Sequence, residues 1–380
     1  MSNRPCAVVG IGQTKHAAKR SDVSMPGLVR EAAKRALEDA QLDWTDIDAV
    51  VLGKAPDMFE GVVQPELFLA GALGAVGKPM IRVHTAGSVG GSTAIVASHL
   101  VSSGKHRRVL TVAYEKQSES NAMWALSQRF PFMPPVAAGA GGYFAPVIRA
   151  YMRRTKAPVE VGSHVAFKDR QNALRNPFAH LHMPELTLEA IQQSPMLWDP
   201  VRYHETCPSS DGACAMVFSD EPIGPNKPAW VLSTAMRTEP MLFPKRDEVS
   251  PRAGSDCAKS VYKDAGITPA DVDVAELYVP FSWYEPMWLE NVGLAENGWR
   301  AVMDGDTAID GRIPINCSGG VLSTNPIGAS GMIRFAEAAL QVRGMAGERQ
   351  VDGAKIALGH AYGGGSQFFS MWVVGAERPS

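Results

Sequence analysis

EAAKRALEDAQLDWTDIDAVVL (residues 31–52) and DCAKSVYKDAGITPADVDVAEL (residues 256–277) are one stretch written twice. At a shift of 225 positions, Ala33, Lys34, Asp39, Ala40, Asp46 and Asp48 fall on Ala258, Lys259, Asp264, Ala265, Asp271 and Asp273. Leu42 meets Ile267 and Ile47 meets Val272, so the apolar positions agree as well. A second echo, at a shift of 240, sets Gly91, Leu100 and Gly104 on Gly331, Leu340 and Gly344. A helix, a loop and the strand after it recur together, which marks an internal repeat. Two halves of one layout predict a pseudo-twofold fold with its chemistry in the crevice between them.

Working outward, the first half opens with an apolar strand, CAVVGIG, at 6–12. Three- and four-residue apolar spacing predicts a helix at about 25–41. A strand at 48–53, an apolar helix at about 64–74 and a strand at 80–84 follow. A glycine-rich turn then leads into a long apolar helix, GGSTAIVASHLVSSG, and a strand at 108–115. This alternation predicts mostly parallel sheets with helices on both faces. Residues 117–205, rich in proline, methionine, histidine and aromatics, break the rhythm and read as an inserted loop domain over the site mouth. CPSSDGACAMVFS (207–219) resumes the core, and PIGPNKP (222–228) is the expected linker. The second half repeats the plan: strand 229–236, helix 250–265, strand 272–278, helix 283–292, helix 329–343, and strands 353–360 and 367–374. The halves are expected at 1–225 and 226–380.

A length of 380 residues suits two packed halves. A net charge of −2 argues against an electrostatic nucleic-acid binder. The opening residues show no secretory pattern. The longest uncharged run, FPFMPPVAAGAGGYFAPVI (130–148), has too much proline and glycine for a membrane helix and reads as a structured loop. Cys6, Cys207, Cys214, Cys257 and Cys317 are scattered without a CxxC pair, which fits a reducing cytoplasm better than disulfides or zinc. His180 and His182 form an HxH with no acidic or cysteine partner at ligand spacing, so no metal is expected.

Three turns are suited to chemistry. In HTAGSVGGSTA (84–94) a strand ends, glycines permit a sharp turn, and Ser88 stands at a helix start, where backbone N–H groups can meet an anion or a developing oxyanion. NCSGGVLSTNPIGASG (316–331) is the matching turn of the second half. In GHAYGGGSQ (359–367), Gly363, Gly364 and Gly365 let backbone approach a ligand closely. Each turn also has a purely structural reading, as a tight crossing or a hairpin.

Taken in order, the repeated halves, the SxGGSTA turn, SDGACAMVF, NPIGASG and GHAYGGGSQ resemble the thiolase superfamily over essentially the whole chain. GKAPDMFEG, RVHTAGSVGGST and EKQSESNAMWALS are similar to sterol-carrier-type thiolases and to the "lipid-transfer protein" group that includes steroid side-chain aldolases. The resemblance implies an α/β thiolase fold: two pseudo-twofold-related βαβαβαββ halves in five layers, α/β/α/β/α, plus the insertion. The helices after Ser88 and after Asn325 form the middle layer, and strand 108–115 pairs with its copy in a homodimer.

The departures from the family pattern bear on mechanism. Ser88 stands where a working thiolase has its nucleophilic cysteine, and the GHP histidine falls on Asn325. The HDCF motif of sterol-carrier-type thiolases falls on Tyr278-Val279-Pro280-Phe281. A serine without an adjacent base is a poor nucleophile. Retro-aldol cleavage of a β-hydroxyacyl-CoA needs an oxyanion site and an acid/base group but no covalent nucleophile. The steroid aldolases carry a tyrosine where this chain has Tyr278, a histidine at His84, and a second tyrosine at Asn325. The resemblance therefore implies Tyr278 as acid/base, with His360, His84, Asn325 and Ser88 as further candidates. Gly363–Gly365 and Tyr362 would form the substrate wall, and CoA would enter only as part of the acyl-CoA substrate. Lys116, Arg149, Arg153 and Arg154 are candidates for its phosphates, with a solvated surface as the alternative. An OB-fold/zinc-ribbon protein or a second thiolase-like subunit is the implied partner. Acyl transfer, or a non-catalytic acyl-CoA-binding subunit, are the competing readings.

Overall fold

Asp46 and Asp271 perform one task in two places. Each carboxylate accepts the backbone N–H three residues earlier, from Asp43 and from Thr268, both at 2.8 Å, and so caps a short turn. Asp48 accepts from the N–H groups of Arg107 and Arg108, and Asp273 from those of Lys355 and Ile356. The repeated aspartates thus pin equivalent strand starts in both halves.

The computed structural model describes residues 4–55, 59–121, 126, 139–240 and 246–379. Its strands are β1 (Ala7–Gln13), β2 (Ala49–Lys54), β3 (Met80–Val83), β4 (Arg108–Lys116), β5 (Met196–Trp198), β6 (Val201–Arg202), β7 (Asp211–Ser219), β8 (Ala229–Thr238), β9 (Val274–Glu276), β10 (Ile356–Gly363) and β11 (Phe368–Gly375). The helices of the first half and insertion are α1 (Met25–Ala40), α2 (Glu66–Leu69), α3 (Val89–Ser102), α4 (Gly139–Thr155), α5 (Val161–Ala173) and α6 (Leu188–Gln193). The second half adds α7 (Arg252–Ala265), α8 (Tyr284–Asn291), α9 (Gly298–Met303), α10 (Gly320–Ser323) and α11 (Ile327–Arg343).

Nine strands join in the order β3-β2-β4-β7-β1-β8-β11-β10-β9. Within the sheet, strands from before and after the expected linker meet at a narrow seam, Ala7↔Trp230 and Val8↔Ala229. The expected parallel character is corrected. Only β2·β3, β2·β4 and β9·β10 are parallel; β1·β7, β1·β8, β4·β7, β8·β11 and β10·β11 are antiparallel. β7 returns from the long insertion with its helices α4, α5 and α6, and β11 from a hairpin, so neither is placed by the single-helix crossover that makes neighbours parallel.

Helix α1 starts at Ser24, whose hydroxyl accepts from the Gly27 N–H, and stops at Gln41 with φ 55°. Its buried stripe, from Leu28 to Ala40, lies on β1, β4 and β7. Helix α7 covers β8 and β11 in the same way. Helices α3 and α11 pack on each other and touch strands of both halves, so they form the middle layer. Gly91, Ala94, Ala97, Gly331, Ala336 and Ala338 are buried there, as expected for a layer covered on both sides. A Cβ on Gly90 would stand 2.3 Å from the Met332 nitrogen, and one on Gly331 would stand 2.8 Å from the Gly91 nitrogen. The two backbones therefore touch through glycine.

Other expectations need correction. Strand β4 is paired on both sides, by β2 and β7, so it cannot pair with a copy of itself; β3 is the open edge of this half. The helix expected at 64–74 shrinks to α2, with Gly74 at φ 60° beyond it. The insertion is more helical than its composition suggested, because α4 and α5 bury apolar faces against the core. Residues 139–148 of the uncharged run lie in α4 despite Pro146, and 130–138 lie outside the described residues. No described helix is long and apolar enough to cross a membrane.

Candidate active site

The three glycine- and serine-rich turns converge. Ala86, at φ 50°, and Gly87 close the strand-to-helix turn before α3. Gly363 packs on it so closely that a Cβ there would lie 2.3 Å from the Gly87 nitrogen and 2.5 Å from that of Ser88. Gly364, Gly365 and Ser366 follow at φ 60°, 60° and 59°, turning the chain from β10 into β11. Together these segments bound a cavity of about 300 Å³. Tyr143, Cys207, Tyr278, Asn325 and Tyr362 are its residues with polar side chains, and Phe144, Phe281 and Ile327 are among its apolar walls.

Tyr278 lies just past β9, with its backbone held from both sides. Its N–H donates to His360 Nδ1 (3.2 Å), and its carbonyl accepts from Trp288 Nε1 (3.0 Å). The ring meets Tyr362 edge-on, with centroids 5.4 Å apart. A Cβ on Gly87 would stand 3.8 Å from the Tyr278 hydroxyl, which places that hydroxyl over the turn. Burial raises its pKa well above the ordinary tyrosine value; the neighbouring Cys207 adds to the rise and the Ser330 hydroxyl opposes it. At neutral pH Tyr278 is therefore a protonated donor.

Asn325 is locked at both ends. Its Oδ1 accepts from Ser330 Oγ (2.8 Å), and its Nδ2 donates to Cys207 Sγ (3.1 Å). Its N–H donates to Ser210 Oγ (3.1 Å), and its carbonyl accepts from Gln117 Nε2.

Three candidates from the sequence do not line the cavity. The Ser88 hydroxyl donates to the Thr85 carbonyl (2.7 Å) and to Thr85 Oγ1 (3.0 Å), and its N–H closes on the same carbonyl (3.2 Å). His84 is exposed, beyond the end of β3. His360 is fully buried behind the Tyr278 backbone, beside Trp288, and burial drives its pKa down to about 3. With Nδ1 accepting a backbone N–H, this neutral ring carries its proton on Nε2.

The residue the sequence reading missed is Cys207. Its N–H donates to the Pro280 carbonyl (2.9 Å), which ties the turn before β7 to the segment after Tyr278. Burial pushes the thiol up to about 11, with the Asn325 bond and Arg170 opposing. The available signal was CPSS directly ahead of a core strand.

Outside the cavity, Lys116 is buried against Glu119 and the Val23 carbonyl, while Arg149 pairs with Asp199 and Arg154 with Asp247. His180 bonds Ser210 and His182 the Asn176 carbonyl. Among the described residues no group of His, Cys, Asp or Glu could hold a metal ion.

A mixed sheet wrapped on two buried helices, with the site where their N-terminal turns meet the glycine hairpin, defines a protein of thiolase fold. Residues 235–376 match the family described as thiolase C-terminal domain-like. An acetyl-CoA acetyltransferase of Methanothermobacter thermautotrophicus is 31% identical, over 95% of this chain and 97% of the relative. Human sterol carrier protein 2 is 30% identical, over 97% of this chain and 72% of the relative. Among solved structures, the Ltp2-ChsH2(DUF35) aldolase superposes at a TM-score of 0.84 with 26% identity, covering 100% of both chains. The chain belongs to the thiolase superfamily, in its sterol-carrier-type group.

Proposed function

We propose that this protein is a carbon–carbon lyase that cleaves a β-hydroxyacyl-CoA by retro-aldol chemistry, with a bulky, steroid-like side chain, as one subunit of a complex. The observation that carries this reading is what faces the cavity. A protonated phenol, Tyr278, stands over the Gly87 turn, while the Ser88 hydroxyl is turned away into Thr85. Among the described residues no imidazole lines the cavity, and Cys207 is held as a thiol, so no activated nucleophile is at hand. Tyr278 takes the β-hydroxyl proton as it gives up its own, which is passed on to the α-carbon of the departing acyl-CoA. Backbone of Gly87 and Gly363–Gly365 faces the thioester oxygen as enolate character develops there. Phe144, Phe281 and Ile327 hold the acyl side chain out of water. The likeness over the whole chain to the Ltp2-ChsH2(DUF35) aldolase supports the same reaction class and a DUF35-type partner.

We propose further that two copies pair along β3. Ile81 on that edge is 39% exposed, and Leu67 and Phe68 beside it are 71% and 62% exposed. An open apolar edge is a template for strand pairing. Light scattering of the wild type and of Ile81→Lys tests this: a dimer that the lysine dissociates is expected, and a wild-type monomer at micromolar concentration overturns it.

The decisive assay for function incubates the full chain, with and without a DUF35-type partner, with a β-hydroxyacyl-CoA carrying a branched, steroid-like side chain. Release of a ketone and the shortened acyl-CoA is expected. Thiolysis of a β-ketoacyl-CoA without any such cleavage would establish the acyltransferase reading instead.

A further inference from the structure

We propose that Cys207 is a second proton-transfer residue of this cavity, closing with Tyr278 a relay that carries the substrate's β-hydroxyl proton to its α-carbon; the proposal rests on the lyase reading above. Cys207 and Tyr278 both face the cavity, and the backbone bond from Cys207 to Pro280 holds their two segments side by side. The thiol is oriented. Because Sγ accepts from Asn325 Nδ2, its own hydrogen is directed elsewhere, and among the described residues no acceptor takes it. An independent observation marks the cavity as built for a polar ligand. Tyr362 lines it and is 2% exposed, and its buried hydroxyl has no hydrogen-bond partner among the described residues. Burial of a phenol without a partner is unfavourable, and a polar group bound beside it would relieve that. Cys6, Cys214, Cys257 and Cys317 are buried in the core and line no part of this cavity.

The chemistry balances without an ionised base at rest. The substrate O–H proton passes to the Tyr278 oxygen as the Tyr278 proton passes to Cys207 sulfur and the Cys207 proton passes to the α-carbon. The electron pair of the breaking Cα–Cβ bond becomes the new Cα–H bond, and the substrate O–H pair becomes the ketone π bond. Both side chains begin and end neutral, as a buried site favours. A thiol is the stronger acid of the two and so the better donor to carbon. The Asn325 amide stabilises the sulfur while it carries partial negative charge.

The test uses the full chain carrying Cys207→Ala or Cys207→Ser, assayed for retro-aldol cleavage. For Cys207→Ala, kcat should fall by about 10²–10⁴-fold, with KM held within about threefold. Cys207→Ser, which keeps a weaker proton donor in place, should retain intermediate turnover. A Cys207→Ala enzyme within about threefold of wild-type kcat overturns the proposal. So does a serine variant no better than alanine, because that indicates position alone. A second measurement needs no variant. N-ethylmaleimide labelling of wild-type Cys207, followed by mass spectrometry, should be blocked by a saturated acyl-CoA. Labelling that acyl-CoA leaves unchanged, no labelling at all, or an acyl group trapped on Cys207 would each overturn the assignment. If wild type cleaves no β-hydroxyacyl-CoA, the lyase reading fails, and the labelling still decides whether Cys207 faces the acyl group.

Discussion

Replacing Tyr278 by phenylalanine removes one hydroxyl and leaves every other support of that residue in place. The ring keeps its 5.4 Å edge contact with Tyr362, and the backbone keeps its bonds to His360 and Trp288. The structural cost is therefore at most one hydrogen bond, about 1 kcal/mol, a shift in Tm of about 1 °C for a chain of this length. The catalytic cost is larger: losing the proton-transfer group should lower kcat by about 10²–10⁴-fold, or about 2.7–5.4 kcal/mol of barrier. KM should barely move, because the hydroxyl contacts only the reacting end of the substrate. Since burial holds the Tyr278 proton on above the ordinary tyrosine range, wild-type kcat should show no limb from Tyr278 between pH 6 and about 10. The assay is steady-state ketone release by wild type and variant, beside a thermal melt of each. A variant that turns over within about threefold of wild type refutes the role given to this hydroxyl. So does a loss of kcat/KM carried by KM alone.

Ser88→Ala should leave retro-aldol turnover nearly intact, since that hydroxyl is spent on Thr85; a loss beyond about a hundredfold in the same assay would indicate a direct chemical role. Gly90→Ala should abolish soluble folded protein, because its Cβ would meet the Met332 backbone at 2.3 Å, whereas Gly71→Ala, with nothing within 4 Å, should stay within about 0.5 kcal/mol of wild type in a urea melt. His16 is driven from 6.5 down to about 3, chiefly by burial and then by Arg334. Its neutral form is the folded one, so the unfolded chain binds the extra proton and stability falls as pH drops from 6.5 toward 3. The slope is about 1.4 kcal/mol per pH unit for one proton. His16→Gln should flatten the fall in urea midpoint between pH 6.5 and 5, and an unchanged slope would exclude His16 as a source of acid lability.

The sequence shows the fold so clearly because its duplicated aspartates are geometric devices. Asp46 and Asp271 cap the same turn and Asp48 and Asp273 anchor the same strand start, so matching letters meant matching structure. Strand direction was less visible, since it depends on where long connections return the chain. At the site, Gly87, Asn325 and Gly363 sit at turns, and turns are where packed elements meet a cavity. His360, implied by the resemblance, shares a face of β10 with Tyr362. It nevertheless lies two residues deeper, about 7 Å along the strand, behind Trp288. Cys207 was missed because its neighbours, Asn325 and the Pro280 segment, are more than 70 residues away in the chain, and no local pattern announces them.

The glycine contacts between α3 and α11 divide the labour within the cavity. Gly87 and Asn325 stand at the N-terminal turns of two helices whose backbones abut, so the cavity floor cannot be reshaped without separating the halves. Another wall, with Ala140, Tyr143 and Phe144, comes from α4, where Phe144 meets Phe281, Tyr284 and Tyr362 through ring contacts rather than abutting backbone. Trimming a side chain there would widen the cavity without parting the two helices. Changes in α4 are accordingly the route by which this scaffold would be retuned, by selection or by design, to a longer or shorter acyl chain.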